Sequence, residues 1–509
     1  MAMTERTNTA IIRLARAATL IFIWVSLVYL RGPNLFYHDP EAGTPEQQDE
    51  DRAFIQTAAA VEFPATIDYA PLREACTRVR PTHFRPGLVF TCEDQHGGVG
   101  MLRLQILKCV RYAIHAGAAA VVPSLSKRNP HDITDIETTV QVPLDYLFDR
   151  EAFVRHLTAG CPGMRLYDRV EDFPNYDRRA VEPLEVVGDQ FEKQSAGSSN
   201  SSNSTSDEDD GGSRLLFPRE WRNYFDNWLA QMNIEFSPEA PVHIKLGQTY
   251  LEYPVREDGD AFAGEFGKIL SFRSEARVMA ARVLAALHRR VIIGGSDGTT
   301  TTTTQQEEQS IDPSVPISPH AYYGAHLRLE KDAVSAWDPD LYRFSRMEDQ
   351  FEEQFRNLRR TGLDVVYVAS GNRTVVDLFA EYLQRRITEE EEADDEVLRD
   401  RGTNSSSSRN VTVVTKYDLL RGDALEELEQ MTFDQQGLVD FLMMFKASAF
   451  MGVAYSSFPW TVALRRHELS RYRGLRNLGS DILRDEYSEL MGMRADYPSV
   501  DPFDRGLWP

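Results

Sequence analysis

Residues 87–122 constrain the fold of this chain most strongly, because strand, glycine-rich loop, helix and strand follow one another there. The first strand is predicted over 87–92, and the loop after it contains Gly97, Gly98 and Gly100. From Met101 the apolar residues fall on one helical face, which ends near Gly117, and 118–122 reads as a second strand. This order is typical of a doubly wound α/β domain, in which a ligand phosphate or sugar approaches the helix N-terminus. A plain tight turn is the alternative interpretation of the glycines.

The second half of the chain repeats the alternation of strands and helices. Strands are predicted at 322–327, 364–369, 411–415 and 449–453, and helices at 341–361, 374–386 and 434–447. Such alternation indicates a parallel sheet whose ligand site lies at the carboxyl ends of the strands. His326 and Arg328 end the first of these strands, so we expect both side chains at the ligand-binding rim.

The last predicted strand leads into a second candidate phosphate site. It is followed by Ser456, Ser457 and Phe458 and then by a helix with Pro459 in its first turn. Serine hydroxyls, free backbone N–H groups and the positive end of the helix would together suit a pyrophosphate. The alternative is that Ser457 only caps the helix.

The N-terminal segment predicts a membrane anchor. Residues 17–30 are uncharged and apolar, and arginines are more frequent before them than after them. By the positive-inside rule this places the N-terminus in the cytosol and the main part of the chain in the lumen. The prediction is a type II single-pass protein of the Golgi or endoplasmic reticulum membrane, with a cleaved signal peptide as the alternative.

Length and composition indicate two domains with polar inserts. The chain has 509 residues, which is too long for one compact core, and 42% of its residues are hydrophobic. Polar segments at 187–213, 294–310 and 388–410 are predicted to be disordered, and their Asn-X-Ser/Thr sequons are at Asn200, Asn203, Asn404 and Asn410. The predicted order is a cytosolic tail (1–10), an anchor (11–31), a stem (32–60), an N-terminal Rossmann-like domain on the acceptor side (61–293), a linker (294–319), a nucleotide-sugar-binding Rossmann-like domain (320–475) and a C-terminal tail (476–509).

Charge and cysteine spacing exclude several functions. A formal net charge of −22 argues against nucleic acid as a partner, because so acidic a chain repels phosphate polymers. The four cysteines have no zinc-site spacing, and one or two disulfides are compatible with an oxidising compartment. The sequence contains no H-E-x-x-H motif, no G-x-S-x-G elbow and no Asp-x-Asp motif of the kind with which metal-dependent sugar transferases hold a nucleotide diphosphate, so no metal site is predicted.

Three blocks in order resemble the GDP-fucose protein O-fucosyltransferase superfamily. They are HGGVGMLRLQ (96–105), YYGAHLRLEKD (322–332) with YVASGNR (367–373), and LVDFLMMFKASAFMGVAYSSFPWTVALRRH (438–467). The resemblance implies a GT-B fold, in which two Rossmann-like domains face each other across a cleft. It also implies inverting, metal-independent transfer of fucose from GDP-fucose to a hydroxyl acceptor, with no separate cofactor and with a protein or glycan as acceptor.

The resemblance also implies roles for individual residues. Arg328 matches the arginine that contacts the β-phosphate and neutralises the leaving group, and His326 matches a histidine near the nucleotide. Asp440 matches an aspartate at the guanine edge, and the nucleotide-binding group is completed by Ser456, Ser457 and Phe458 and by the loop glycines. An ion pair with Glu330 or Asp332 is the alternative role for Arg328.

The chain departs from the family in the glycine-rich loop, where many members have an asparagine and this sequence has Met101. A methionine cannot replace the hydrogen bonds of the amide. Candidates for the base that deprotonates the acceptor are Glu93, Asp94 and His96, just before the loop. The alternatives to a fucosyltransferase are a weak or inactive nucleotide-sugar- or glycan-binding protein on the same fold, or a transferase that uses another nucleotide sugar.

Overall fold

The structure is a computed structural model that describes residues 45–78, 84–92, 95, 97–129, 140–188, 190–191, 215, 217–247, 253–289, 310–336, 338–400, 410–467, 482–492 and 506–509. The described residues from Phe54 onward form one compact unit, the larger unit of the chain. The predicted anchor at 11–31 and most of the predicted linker at 294–319 lie outside the described residues. Among the helices described, none is long and apolar enough to cross a membrane.

The first half of the larger unit is built on a five-stranded parallel sheet. Its strand order is β5-β2-β1-β7-β6, with β1 at Leu88–Cys92, β2 at Ala119–Val121, β5 at Leu166–Tyr167, β6 at Leu184–Val186 and β7 at Val242–Leu246. A separate antiparallel pair consists of β3 (Ser124–Lys127) and β4 (Val140–Pro143). All five residues of β1 are buried, as expected for a strand covered on both faces.

The second half carries a six-stranded sheet in the order β10-β9-β8-β11-β13-β12. The strands are β8 (Tyr323–His326), β9 (Val365–Ala369), β10 (Thr412–Val414), β11 (Ala449–Val453), β12 (Ile482–Arg484) and β13 (Ser488–Met491). All neighbours are parallel except β12 and β13. The prediction of parallel α/β sheets in both halves is confirmed.

Both sheets change winding direction next to the predicted motifs. From β8 the chain adds β9 and β10 on one side, and it then crosses to β11 on the other side. In the first sheet β2 and β7 flank β1 in the same way. Ligands of open α/β sheets bind in the crevice that forms at such switch points. The glycine-rich loop after β1 and the ends of β8 and β11 therefore lie where a ligand is expected.

The helices pack around these sheets. In chain order they are α1 (Pro45–Ala60), α2 (Ala70–Thr77), α3 (Val99–Ala116), α4 (Arg150–Gly160), α5 (Trp221–Gln231), α6 (Asp260–Phe266), α7 (Ser274–Leu287), α8 (Lys331–Ala336), α9 (Met347–Thr361), α10 (Arg373–Asp400), α11 (Lys416–Leu419), α12 (Gly422–Gln430), α13 (Phe433–Lys446) and α14 (Ser457–His467). Helix α3 ends at Gly117 in the left-handed conformation (φ 65°), as its sequence predicts. Short 3-10 helices lie at Leu144–Tyr146, Val170–Asp172, Pro218–Glu220, Val255–Asp258, Gly267–Ile269 and Arg343–Ser345.

Two of the predicted disordered inserts are partly folded. Helix α10 continues to Asp400, so the prediction of disorder from 388 was wrong for its first thirteen residues. Ion pairs to arginines outside this acidic run contribute to the extension, because Glu390 pairs with Arg359 of α9 at 2.7 Å and Glu389 with Arg386 one helical turn earlier at 3.4 Å. In the insert predicted at 187–213, the described residue Phe191 is buried. The middle of both inserts lies outside the described residues.

The predicted C-terminal tail at 476–509 also contributes to the fold. Strands β12 and β13 extend the second sheet, although the domain was predicted to end at residue 475. Further on, Trp508 is buried, and its carbonyl oxygen accepts a hydrogen bond from buried Arg103 of α3 at 2.6 Å. Apolar residues such as Leu483, Leu490 and Met491 explain why this segment packs into the core.

A buried ion pair joins α14 to the segment after α1. The Arg465 side chain is fully buried, and its Nη1 lies 3.1 Å from Oε1 of Glu62, which also accepts a hydrogen bond from the Phe272 backbone N–H. The guanidinium lies 4.2 to 5.1 Å from the ring centres of Phe63, Phe272 and Phe441. Cation–π contacts and one carboxylate thus surround a charge that is removed from water.

All four cysteines form disulfides. Cys76 bonds to Cys161, and Cys92 at the end of β1 bonds to Cys109 in α3. The second bond connects the strand and the helix on either side of the glycine-rich loop. Disulfides of this kind are typical of proteins in oxidising compartments.

Candidate functional site

A cleft of about 490 Å³ opens at the carboxyl ends of the strands and is lined by both halves of the larger unit. The sequence-predicted residues that line it are Gly98, Gly100, His326, Arg328, Asp440, Ser456, Ser457 and Phe458. Gly97 adjoins the cleft without lining it. These residues come from four separate segments, and the two switch points bring them together.

Two helix N-termini meet in the cleft. Helix α3 has Gly98 as its N-cap, which has no side chain to accept hydrogen bonds from the first N–H groups, and residues 98–101 line the cleft. Helix α14 begins at Ser457, which also lines the cleft. A Cβ atom at Gly100 would lie 2.7 Å from Ser457 Oγ, so this close approach requires glycine. The positive ends of both helices therefore face the same space.

Arg328 is held in the cleft by two carboxylates. Its Nη1 contacts Glu330 at 2.5 Å and Asp332 at 2.9 Å, and its Nη2 contacts Asp332 at 2.6 Å. The Arg328 side chain is 20% exposed. Burial lowers the pKa of Arg328, but Glu330 and Asp332 outweigh burial and raise it above its ordinary value. The ion pair considered from the sequence is present, and it lies in the cleft beside the other predicted residues.

Two buried glutamines of α9 fix the backbone around Arg328. Gln350 accepts the Arg328 N–H at 3.0 Å and donates to the Arg328 carbonyl at 3.1 Å. One helical turn later, Gln354 donates to the His326 carbonyl at 3.2 Å. Sequence reasoning missed both residues; their signal was a pair of amides four residues apart on the otherwise apolar face of α9.

His326 stacks on Phe458 with ring centres 5.0 Å apart and an angle of 13° between the rings. Burial lowers the pKa of His326 to about 4, so the imidazole is neutral at pH 7. Its Nδ1 is buried without a hydrogen-bond partner among the described residues. The pair forms an uncharged wall between the ends of β8 and β11.

Asp440 lines the cleft, but protein groups already contact both of its carboxylate oxygens. Tyr367 donates to Oδ1 at 2.8 Å, and Lys416 donates to Oδ2. Burial raises the pKa of Asp440, and the charge of Lys416 opposes that shift. Contact with a nucleobase edge, the role implied by the family resemblance, must therefore use the remaining acceptor positions of these oxygens.

The cleft also contains charged residues to which the sequence analysis assigned no role in ligand binding. They are Arg128, Glu330, Asp332, Arg373, Lys416 and Asp434. Arg373 lies over the Tyr417 ring at 4.1 Å, which is a cation–π geometry. Arg128 was missed because it follows a short polar strand that matches no motif.

The predicted base candidates Glu93, Asp94 and His96 lie outside the described residues. Met101 lines the cleft with its apolar side chain, as its position in the loop predicts. Among the described residues, no group of three or more His, Cys, Asp or Glu side chains could hold a metal ion.

No protein family model matches the chain, and neither does any curated protein sequence. Among solved structures, POFUT1 in complex with GDP is 13% identical, with a TM-score of 0.38, and the match covers 81% of this chain and 100% of that chain. POFUT1 in complex with GDP-fucose is 13% identical, with a TM-score of 0.39 and coverages of 81% and 99%.

A mutant of Arabidopsis thaliana FUT1 in complex with GDP is 12% identical, with a TM-score of 0.33 and coverages of 85% and 80%. The chain is thus similar to solved structures of POFUT1 and of Arabidopsis FUT1 at low sequence identity.

Proposed function

We propose that the chain is a glycosyltransferase that transfers fucose from GDP-fucose to a hydroxyl acceptor on a protein or glycan, with inversion and without a metal ion. The observation that carries the proposal is the convergence of Arg328 with the first turns of α3 and α14 in one cleft. A departing nucleoside diphosphate needs compensation for its negative charge, and these groups supply it without an ion.

The catalytic role of Arg328 follows from the change in charge during the reaction. As the bond between fucose and the β-phosphate breaks, negative charge builds up on the phosphate oxygens. A guanidinium fixed by Glu330 and Asp332 retains the Nε–H and one Nη2–H beyond the contacts to these carboxylates. Because Gln350 fixes the backbone at Arg328, the charge is already in place when the bond breaks.

While they are paired with Arg328, Glu330 and Asp332 are poor candidates for the base that deprotonates the acceptor hydroxyl. Burial raises the pKa of Glu330 and of Asp332, but Arg328 outweighs burial and lowers both below their ordinary values. A base with a depressed pKa takes a proton from a hydroxyl group weakly. Glu93, Asp94 and His96 therefore stay our proposed bases.

A nucleotide-sugar-binding protein with weak or no turnover is the second candidate function. Met101 in the cleft favours it, because an apolar side chain stands where the family places a hydrogen-bonding amide. Use of another nucleotide sugar would leave the phosphate site unchanged and alter only the contacts at the base and the sugar.

We expect the full chain to release GDP from GDP-fucose faster than it releases nucleotide from UDP-, ADP- or other GDP-sugars. Turnover should persist in EDTA, because arginine and helix N-termini supply the positive charge. Nucleotide release across this donor panel, with and without EDTA, is the measurement. Loss of activity in EDTA that manganese restores would contradict the metal-free mechanism, and preference for another donor would identify a different transferase.

We further propose a type II membrane protein of the Golgi or endoplasmic reticulum with a lumenal catalytic part. The arginine asymmetry around 17–30 and the two disulfides support this location. In intact microsomes, protease should leave residues 54–509 undigested until detergent is added. Digestion without detergent, while a lumenal marker protein stays intact, would place the catalytic part in the cytosol.

A further inference from the structure

Arg128 enters the cleft from the first half of the larger unit, opposite Arg328. It directly follows β3, which pairs with β4 and is joined through the Ser126 N–H to the Gln95 carbonyl at 2.9 Å. The Arg128 backbone N–H donates to Asp434 at the start of α13 at 3.3 Å. These contacts fix the Arg128 backbone between the glycine-rich loop and the second half.

The Arg128 side chain lies against the glycine-rich loop. Its Nε donates to the Gly97 carbonyl at 3.1 Å, and a Cβ atom at Gly98 would come within 2.8 Å of its Nη2. The side chain is 16% exposed. The Arg128 Nε also lies 3.7 Å from the Asp434 carboxylate. Within the described part of the chain, the hydrogen bond and the ion pair of this guanidinium both involve Nε, so its two Nη groups are available to a ligand.

Two other cations of the cleft, Arg328 and Lys416, contact carboxylates through their terminal nitrogens, whereas Arg373 lies over the Tyr417 ring. Both Nη atoms of Arg328 contact carboxylates, and Lys416 contacts Asp440. Burial raises the pKa of Asp332, but Arg328 and the more distant Arg128 lower it. The charge of Arg128 thus acts across the cleft on the carboxylate that holds Arg328.

We propose that Arg128 binds the diphosphate of the donor nucleotide from the side opposite Arg328, so that two guanidinium groups from the two halves hold the phosphates between them. The proposal deepens the proposed function and rests on it, because it takes a nucleoside diphosphate sugar as the ligand. Guanidinium is well suited to this contact, since its two Nη groups match a pair of phosphate oxygens.

The position of Arg128 beside α3 makes the β-phosphate the expected contact. The first N–H groups of α3 and the Arg128 Nη groups lie on either side of Gly98, so an anion at the helix N-terminus meets both. A nucleoside monophosphate lacks the β-phosphate. The contribution of Arg128 should therefore appear as a difference in affinity between GDP and GMP.

The experiment measures the affinities of GDP and GMP by calorimetry for the full chain and three variants. For Arg128→Gln we expect GDP affinity to fall by roughly 10- to 100-fold, the usual effect of losing a charge-assisted hydrogen bond. GMP affinity should stay within about 3-fold, because GMP lacks the contacted phosphate. Arg128→Lys keeps the charge and should lose less, and Arg356→Gln on the exposed face of α9 is the matched control.

GMP binding also reports whether the variant cleft is folded. An equal loss of GDP and GMP affinity would mean that Arg128 only supports the loop, and unchanged GDP affinity would mean that it makes no contact; either result overturns the proposal. Lack of GDP binding by the unmodified chain would overturn it together with GDP-fucose as donor. A GDP-specific loss in a chain that turns over no sugar donor would support the diphosphate contact and contradict the transferase.

Discussion

Arg328→Ala is expected to lower donor turnover by roughly 10²- to 10³-fold, because one preorganised contact to the charge of the transition state is lost. Arg328→Lys should be nearly as damaging, since an ammonium lacks the planar fork that binds two oxygens at once. The lysine variant is the more informative one. It keeps a positive charge beside Glu330 and Asp332, whereas Arg328→Ala leaves these two neighbouring carboxylates without a cationic partner.

The measurement is the rate of GDP release at saturating GDP-fucose, together with a thermal melt of each variant. Asp332→Asn is a useful companion, because it removes one anchor of the guanidinium and leaves the guanidinium itself. Near-normal turnover in folded Arg328→Lys and Arg328→Ala proteins would show that the arginine serves only as the counter-ion of the two carboxylates. The proposed function would then lose its main support.

Glu62→Ala is expected to lower the free energy of unfolding by about 3–5 kcal/mol, which is typical when one partner of a buried ion pair is removed. The variant leaves the fully buried Arg465 without its carboxylate and the Phe272 N–H without its acceptor. Denaturant unfolding, followed by a structural signal from the core, measures the loss.

A double variant separates the charge effect from a packing effect. Glu62→Leu with Arg465→Met removes both charges and should recover much of the stability, since an apolar pair of similar volume is often as stable as the buried ions. The control is Glu74→Ala, which breaks an exposed pair with Arg78 and should change stability little. A Glu62→Ala protein as stable as the unmodified chain would show that water or rearranged side chains solvate Arg465.

The alternation of strands and helices could be read from the sequence because each buried strand is a short apolar run next to a glycine or serine turn. Strand β11 lies at the predicted residues, β1 and β9 each begin one residue later than predicted, and β8 is one residue shorter at each end. The position of His326 at the end of β8 followed from the same reasoning. Parallel sheets bring such strand ends to one edge, so much of the cleft was predictable without knowing which strands are neighbours.

Features that depend on contacts distant in sequence could not be predicted in this way. Arg128 reaches the cleft only because β3 pairs with β4 and attaches to Gln95. Gln350 and Gln354 look like ordinary polar helix residues until α9 packs against the end of β8. The extension of α10 was missed because a strongly acidic composition was interpreted as disorder, whereas its first glutamates pair with Arg359 of the neighbouring α9 and with Arg386 one turn earlier in α10.

The bond between Cys92 and Cys109 turns the glycine-rich loop into part of a covalent ring, whose two cysteines are 17 residues apart in sequence. Glycines give a chain the greatest freedom when it is unfolded, and Gly97, Gly98 and Gly100 all lie inside this ring. The ring removes conformations from the unfolded chain and limits how far the loop can move away from β1 in the folded one. The disulfide therefore restricts the conformations of the loop before any ligand binds at the start of α3.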